Sequence, residues 1–372
     1  MRNSEPETGE QHAAGERDGS RTPWLLRIES VSDRMFEGWR RRTGREGAAT
    51  VTPYAGYAHP SGVEIMGRVM EKRGEWSPLA TDSRLSNLQG VGRLFATHER
   101  AYARATVEFE DERVSVTADE EGYLLTTLPP LPMPSATVWD EAVARLNDGS
   151  DDEPTPMPVL RVGSNARFGV VSDIDDTVMQ TGAENIVRNL WTTFTGNALS
   201  RHVYSHVPEL YRSLAGFDRH ANASDGERRN PIFYLSSSPW NLYTLIRDVL
   251  DGNGVPWGPI FLRDFGLDRN KFIKGTHGQH KIGNASRLLA QFDGLPFILI
   301  GDLGQADAEV YAEVVRRHGT QVAGVILHQP SDRSHEAKRG HVAEMERAGV
   351  PTLVTRDYRE AIAFASERNW IE

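Results

Sequence analysis

The chain has 372 residues, no cysteine, and 52 acidic against 42 basic side chains, for a formal net charge of −10. This acidic balance disfavours nonspecific binding to nucleic acid, whose phosphates attract basic surfaces. The lack of cysteine excludes disulfide and thiol chemistry and fits a cytoplasmic location. The length predicts two domains, and the sequence carries no motif for a P-loop, a dinucleotide-binding fingerprint or a zinc site.

The first 44 residues divide into a polar tail and an amphipathic segment. Residues 1–22 contain no apolar run, which predicts a disordered tail and excludes the apolar core of a secretory signal peptide. No stretch of the chain is apolar enough for a transmembrane span. Residues 23–44 repeat apolar side chains at helical spacing and end in arginines, which predicts one amphipathic helix. Its apolar face is expected to pack on protein; alternatively, residues 23–42 lie on an anionic membrane surface.

Residues 50–146 change to the alternation of apolar and polar residues that is typical of half-buried strands. Residues 119–122 resemble a hairpin turn that leads into a strand at Tyr123. These signals predict a small β-sandwich without a catalytic constellation, and therefore a recruitment or scaffold module. Residues 147–158, acidic and proline-bearing, are predicted to link it to the following domain. The clearest alternating segments are Val63–Val69, Thr106–Phe109 and Val114–Thr117.

The most informative run of the chain is FGVVSDIDDTV, residues 168–178. Its first four residues show no polar alternation, which predicts a strand of a buried parallel sheet. Asp173, Asp175 and Asp176 follow at the carboxyl end of this strand, where ligands bind in open α/β sheets. Repulsion among three carboxylates favours a bound divalent metal, although an acidic turn that faces solvent is the alternative. An EF-hand is excluded because a strand precedes the run and its glycine is missing.

A second apolar strand, residues 231–235, ends in Ser236, Ser237 and Ser238. Hydroxyl groups at such a junction can bind an anion or cap the following helix. Farther along the chain, Lys281 lies near a predicted helix start, where a cation is unfavourable against the helix dipole. Its position indicates a nearby anion, although a single lysine is more often exposed.

A third apolar strand, residues 297–300, ends at Asp302, and Asp307 follows near the start of the next helix. Compensation of the helix dipole would by itself explain Asp307, but not Asp302. Val322–Leu327 and Thr352–Val354 predict two more strands, each followed by a helix. The strand before Asp173 would then have neighbours on both sides, which places the site at a topological switch point.

The order of these segments resembles the four-motif signature of the haloacid dehalogenase superfamily. Several motifs, over about residues 159–330, resemble more closely the catalytic domain of the actin-patch phosphatidate phosphatases and their bacterial relatives. The resemblance implies an α/β, Rossmann-like parallel sheet with a small helical insert over residues 159–372. It also implies a hydrolase that uses magnesium (Mg²⁺) and releases diacylglycerol and phosphate from phosphatidate. The motifs are SDIDDTV, LSSSPWNLY, FLRDFG, the His280-Lys281 pair and ILIGDLGQADAEVY.

The resemblance also implies roles for individual residues. Asp173 would be the nucleophile that forms an aspartyl-phosphate, and Asp175 would act as general acid and base. Ser236 would hold the transferring phosphoryl group, and Lys281 would neutralise the charge on its equatorial oxygens. The implied metal ligands are Asp173, Asp175 through its backbone carbonyl, Asp302 and Asp307.

Fewer residues point to the substrate than to the catalytic chemistry. Ser237, Trp240 and Arg263 are candidate substrate contacts, although aromatic residues near the site are expected mostly to pack in the core. Residues 178–229 would form a small lid. Two alternatives stay open: hydrolysis of a soluble phosphate monoester, and a non-catalytic membrane or protein adaptor with a structural metal. An adaptor would have no use for the acid at position 175.

Overall fold

Two β-sheets organise the part of the chain that the computed structural model describes. The predicted tail, the predicted helix over residues 23–44 and most of the predicted lid lie outside that part. The described residues are 49–71, 99–147, 153–180, 203–217, 230–263, 277–304, 306–329 and 336–371.

The first sheet has seven strands in the spatial order β4-β3-β6-β7-β1-β2-β5. Its neighbours pair antiparallel except β1 and β7, which run parallel. Hydrogen bonds join all seven strands into one sheet, and its division into the two layers of the predicted sandwich is not confirmed. The strands are β1 Ala49–His59, β2 Gly62–Glu71, β3 Arg104–Phe109, β4 Glu112–Thr117, β5 Tyr123–Leu128, β6 Val138–Leu146 and β7 Thr155–Arg161.

The turn at residues 119–122 exists, but it does not close a hairpin. The Asp119 carboxylate accepts hydrogen bonds from the backbone N–H groups of Glu121 and Tyr123, and Gly122 takes the left-handed conformation with φ 81°. Strand β4 nevertheless pairs with β3, and β5 pairs with β2, at opposite edges of the sheet. Local sequence encodes the turn through its Asp and Gly, whereas the pairing of β5 depends on the distant strand β2.

Strand β7 occupies residues that the sequence predicts to lie in the linker and at the start of the catalytic domain. It pairs antiparallel with β6 along its whole length, so residues 155–161 belong to the first sheet. Pro156 and Pro158 suggested a linker because proline cannot donate to a sheet ladder. The sheet accommodates both prolines, since β1 pairs with β7 only from Val159 onward.

The second sheet has six parallel strands in the order β10-β9-β8-β11-β12-β13. Strand β8, which leads to Asp173, lies between β9 and β11, as the sequence pattern predicted. This parallel sheet with helices confirms the α/β class. The strands are β8 Gly169–Asp173, β9 Ile232–Pro239, β10 Ile260–Arg263, β11 Phe297–Asp302, β12 Val322–His328 and β13 Thr352–Thr355.

Six α-helices accompany this sheet in the described ranges, and most follow a strand directly. Among these helices, none is long and apolar enough to cross a membrane. Short 3₁₀ turns lie at Trp240–Leu242 and Gly319–Gln321. The helices are α1 Val207–Ala215, α2 Tyr243–Gly252, α3 His277–Gln291, α4 Asp307–His318, α5 Glu336–Arg347 and α6 Tyr358–Glu367.

The first sheet packs directly against the α/β part of the chain through aromatic side chains of β1. The ring of Tyr57 is fully buried and lies 5.4 Å from the ring of Phe233 on β9. Its hydroxyl donates to Oε1 of Gln291 on α3 over 2.8 Å. Burying one such aromatic side chain stabilises the packed state by roughly 1.5–3 kcal/mol. The two sheets therefore share a hydrophobic core, in addition to a separate core within the first sheet.

Candidate active site

The first acidic motif folds into a tight turn at the end of β8. The backbone N–H of Val178 donates to the carbonyl of Ile174 over 2.9 Å, and Asp176 takes a left-handed conformation with φ 59°. The hydroxyl of Thr177 donates to Oδ2 of Asp173 over 3.0 Å. The turn buries the Asp173 side chain completely and fixes one of its oxygens.

Two side chains from the far end of the chain support this turn. The hydroxyl of Tyr358 donates to the carbonyl of Thr177 over 2.5 Å. Nδ1 of His328 lies 3.1 Å from the carbonyl of Asp176, which can only accept, so the imidazole N–H donates. Both are buried, and no sequence motif pointed to them.

Lys281 extends from the second turn of α3 into the site. Its Nζ donates to Oδ1 of Asp173 over 2.7 Å and to Oδ1 of Asp307 over 2.6 Å. Only 3% of the residue is exposed, so the surface-lysine alternative does not hold. Burial lowers its pKa, but the two carboxylates outweigh burial and raise the pKa above the ordinary lysine value. Lys281 is therefore an ammonium ion held between two acids.

The two acids of the first motif have raised pKa values. Burial raises the pKa of Asp173 well above its ordinary value, with a contribution from Asp307, and Lys281 opposes the shift. Burial also raises the pKa of Asp175, against hydrogen bonding from Ser236. Asp175 thus keeps a proton to higher pH than an ordinary aspartic acid.

The serines approach Asp175 from strand β9. The hydroxyl of Ser236 donates to Oδ2 of Asp175 over 2.6 Å, and that of Ser238 donates to the same oxygen over 3.4 Å. The strand continues to Pro239, farther than the sequence predicted, so the serines lie in extended backbone. Pro239 takes the cap position of the following 3₁₀ turn, without a side-chain cap. Capping therefore does not explain these serines.

Asp302 and Asp307 lie beside each other at the end of β11. The backbone N–H of Asp302 donates to Oδ2 of Asp307 over 3.0 Å, and the N–H of Gly304 donates to Oδ1 of Asp302. Both acids are fully buried. Asp307 is the first residue of α4, but its two contacts in the site show that dipole compensation is not its only role. Lys338 closes this edge by donating to the carbonyl of Gly304 over 2.5 Å.

The oxygen ligands of the site suit magnesium, which does not need a complete cage of protein ligands. Within the described ranges, no three His, Asp or Glu side chains converge as a ligand cluster. Magnesium is usually held by one or two carboxylates, and waters and substrate phosphate complete its shell. Asp173 and Asp302 supply such oxygens at the carboxyl ends of the neighbouring strands β8 and β11. The residues fit the ion by their chemistry, and its binding stays a prediction.

The predicted substrate contacts separate into two groups. Ser237 is half-buried on β9, and Arg263 ends β10 in register with Pro239, close to the serines. Trp240 instead stacks on Tyr54 of the first sheet, with ring centroids 4.5 Å apart. Its contact therefore matches the packing expected of aromatic residues, and a substrate role for it stays a prediction.

Comparisons with known proteins point to one enzyme class. The family model for the phosphatidate phosphatase APP1 catalytic domain matches residues 168–329. Phosphatidate phosphatase APP1 of Saccharomyces cerevisiae is 28% identical over 160 residues, which are 43% of this chain and 25% of that protein. An uncharacterized protein of Schizosaccharomyces pombe is 23% identical over 242 residues, 63% of this chain and 37% of that protein. The chain thus spans less than half the length of either relative.

Similar solved structures add no argument about fold or function. A carbohydrate acetylesterase from Xanthomonas citri has a TM-score of 0.27 at 11% identity, covering 81% of this chain and 73% of that chain. A ferredoxin-NADP+ reductase from Plasmodium falciparum has a TM-score of 0.22 at 6% identity, covering 74% and 95%. The family match and the yeast relative, in contrast, support a phosphatase enzyme, and the matched span contains every candidate catalytic and metal-binding residue from Asp173 to Asp307.

Proposed function

We propose that this chain is a magnesium-dependent phosphatase of the haloacid dehalogenase type that hydrolyses phosphatidate, or a related lipid phosphate, to diacylglycerol and phosphate. The observation that carries the proposal is the convergence of separate motifs in one buried site. Lys281 is bonded to Asp173, and Ser236 is bonded to Asp175. The family match supports phosphatidate as the substrate class.

Asp173 is the nucleophile in this proposal. One carboxylate oxygen attacks phosphorus and forms an aspartyl-phosphate, while the ester oxygen leaves with diacylglycerol. Thr177 and Lys281 each bond one oxygen of Asp173, so the carboxylate enters the reaction already oriented. The Lys281 ammonium also favours the ionised form that the attack requires.

Asp175 transfers the protons. It donates a proton to the leaving ester oxygen, and it then removes a proton from the water that releases phosphate from Asp173. Burial raises its pKa, which favours the protonated form needed for the first step. Ser236 orients the carboxyl group through its 2.6 Å bond and can exchange this bond for one to a phosphoryl oxygen.

Charge on the phosphoryl group is balanced by cations in the site. Lys281 lies beside the nucleophile and can contact the equatorial oxygens in the transition state. Asp173, Asp302 and the backbone carbonyl of Asp175 would hold magnesium, with Asp307 orienting them. When bound, the ion neutralises phosphate charge and fixes the phosphate relative to the nucleophile.

A lipid substrate brings the enzyme to a membrane surface. In this proposal residues 23–42, amphipathic and ending in arginines, make a transient contact with anionic bilayers from the cytoplasmic side. Cosedimentation with phosphatidate-containing vesicles tests this contact. Deletion of residues 1–45 is expected to weaken the binding, and unchanged binding would contradict the contact.

Phosphate release from two substrates tests the proposed function. Phosphatidate in mixed micelles is compared with a soluble aryl phosphate, with and without magnesium, and Asp173→Asn serves as the blank. Magnesium-dependent release that favours phosphatidate is the expected result. Release from the aryl phosphate alone would support the phosphatase reaction but exclude phosphatidate as the substrate. Equal release by Asp173→Asn would exclude Asp173 as the nucleophile.

Trapping with beryllium fluoride tests the metal separately from turnover. This anion mimics the phosphoryl group on an aspartate, so it is expected to raise the melting temperature only when magnesium is present. The same shift without magnesium, or in Asp173→Asn, would contradict the metal and nucleophile assignments.

A further inference from the structure

The segment that follows the catalytic serines is held by the first sheet. Trp240 stacks on Tyr54 of β1 with a 25° angle between the rings, and its ring centroid lies 6.0 Å from that of Tyr123 on β5. The hydroxyl of Tyr243 accepts a hydrogen bond from the backbone N–H of Ala55 over 2.7 Å. Strands β1 and β5 therefore contact the start of α2 and the 3₁₀ turn before it.

Arg68 on β2 makes the most directional of these contacts. Its Nη1 donates to Oδ1 of Asn241 over 2.9 Å, its Nε donates to the carbonyl of Glu121 over 2.9 Å, and its Nη2 donates to Oε1 of Glu99 over 2.9 Å. The guanidinium carbon lies 4.5 Å from the centre of the Tyr123 ring. Arg68 is only 5% exposed, so one buried guanidinium ties Asn241 to two other segments of the chain.

We propose that Arg68 is a positioning residue for the active site, and that the first sheet thereby sets the place of the serine hydroxyls. This inference rests on the proposed phosphatase function. Arg68 does not touch the reacting groups; it fixes Asn241, which follows Ser236 and Ser238 closely in the chain. Because the guanidinium is a rigid fork of donors, it specifies the direction of each bond, which a lysine ammonium cannot do.

The contact that depends most on this positioning is the hydrogen bond between Ser236 and Asp175. At 2.6 Å this bond is short, and both groups are buried. A shift of residues 236–243, here called the serine segment, would therefore break the bond even if the acids did not move. Misplacement of a catalytic group by about 1 Å can lower a rate by about 100-fold. The first sheet is therefore part of the catalytic unit rather than an appended scaffold.

Arg161 provides a matched control for a substitution of Arg68. It is also an arginine of the first sheet and also bridges three segments, through Glu110, Asp140 and the carbonyl of Pro132. None of these partners belongs to the serine segment. Arg68→Lys and Arg161→Lys therefore remove comparable networks, and only the first touches the segment that carries the serines.

Hydrogen–deuterium exchange on the full chain tests positioning without reference to activity. Amide exchange over residues 236–243 is expected to be faster in Arg68→Lys than in wild type, and unchanged in Arg161→Lys. Turnover of a soluble aryl phosphate is expected to fall about 10- to 100-fold in kcat for Arg68→Lys, with KM little changed. Equal exchange in all three proteins would overturn the proposal.

Substitutions of Asn241 keep the proposal testable if Arg68→Lys folds poorly. Asn241→Ala removes the acceptor and is expected to lower kcat as Arg68→Lys does. Asn241→Asp retains an acceptor for the guanidinium and is expected to keep kcat near wild type. Equal activity of both variants would overturn the proposal. If the wild-type chain releases no phosphate, the proposed function fails, whereas the exchange comparison still decides whether Arg68 positions the segment.

Discussion

Lys281 and Asp173 form a buried ion pair across 108 residues of sequence, with Nζ 2.7 Å from Oδ1. Nζ makes a second bond to Asp307, so one ammonium on helix α3 joins the end of β8 to the start of α4. A buried ion pair contributes little net stability when intact, but loss of one partner leaves the other charge without compensation. We therefore expect the pair to be required both for the structure of the site and for the proposed chemistry.

Lys281→Met tests this requirement because it removes the charge and retains most of the apolar stem. The variant leaves Asp173 and Asp307 buried without their cation and is expected to lose about 3–5 kcal/mol of unfolding free energy at neutral pH. The folded-state pKa of Asp173 is already raised, and loss of the lysine raises it further. The stability of the variant should therefore recover relative to wild type as pH falls and the carboxyls take up protons.

Urea unfolding at neutral and mildly acidic pH measures this effect. Arg359→Met is the control, because Arg359 pairs with Asp357 on the surface and its loss should leave the unfolding midpoint nearly unchanged. A Lys281→Met midpoint equal to wild type at neutral pH would show that the buried pair does not carry this role.

The acid–base role proposed for Asp175 predicts a pH dependence. Burial raises its pKa, so its proton is available above the pH at which an ordinary aspartic acid loses it. With phosphatidate, kcat is expected to fall as pH rises through this pKa, because the deprotonated acid cannot protonate the leaving oxygen. Asp175→Asn should lower kcat by at least about 100-fold and abolish this descending limb. Parallel pH profiles of the two proteins would refute the assignment.

Tyr358→Phe tests whether the turn that holds Asp173 matters for turnover as well as for the stability of the fold. The change removes the hydroxyl that bonds the carbonyl of Thr177, and it is expected to cost about 1–3 kcal/mol of unfolding free energy. Tyr234→Phe is the matched control, since the buried hydroxyl of Tyr234 bonds the carbonyl of Pro256 over 2.6 Å, outside the motifs. Both variants should lose stability, and only Tyr358→Phe should also lower kcat. An equal kcat in both would mean that the turn does not depend on Tyr358.

Two glycines give a test of packing in the α/β region. A Cβ at Gly258 would lie 2.0 Å from the backbone carbonyl oxygen of Ile232, at the start of β9, whereas a Cβ at Gly283 on α3 would meet nothing within 4 Å. Gly258→Ala is therefore expected to lower the melting temperature. Gly283→Ala should raise the unfolding free energy by roughly 0.5–1 kcal/mol, since alanine favours a helix interior. Thermal unfolding of both variants checks this, and a stable Gly258→Ala would contradict the close approach.

Sequence patterns predicted the strands of the candidate site well because buried parallel strands have continuous apolar runs. The strands before Asp173 and Asp302 lie where expected, and their tips meet because parallel strands end at one edge of a sheet. The contact of Lys281 with Asp307 could not be predicted from spacing, since it depends on how α3 packs beside α4. Tyr358 and His328 were missed because each is a single buried residue without a motif.

The first sheet was predicted less well for identifiable reasons. Strand β7 carries Pro156 and Pro158, which in sequence indicate a linker, yet both positions pair with β6, and β1 pairs with β7 only from Val159 onward. The turn at residues 119–122 was recognised, but β4 before it pairs with the preceding strand β3, and β5 after it pairs with the distant strand β2. No sequence motif marks Arg68, because its proposed role depends on its bond to Asn241, which lies in the turn after strand β9 of the second sheet.

Capture of the covalent intermediate tests the nucleophile most directly. Asp175→Asn is mixed with an aryl phosphate whose phenol leaves without protonation, so the first step can proceed while release of phosphate stalls. Quenched protein is digested, and the peptide that spans residues 169–179 is examined by mass spectrometry. A phosphoryl adduct is expected on Asp173 in this variant, and no adduct is expected when Asp173 is also changed to Asn. An adduct on another residue, or phosphate release by Asp173→Asn at the wild-type rate, would show that Asp173 is not the nucleophile.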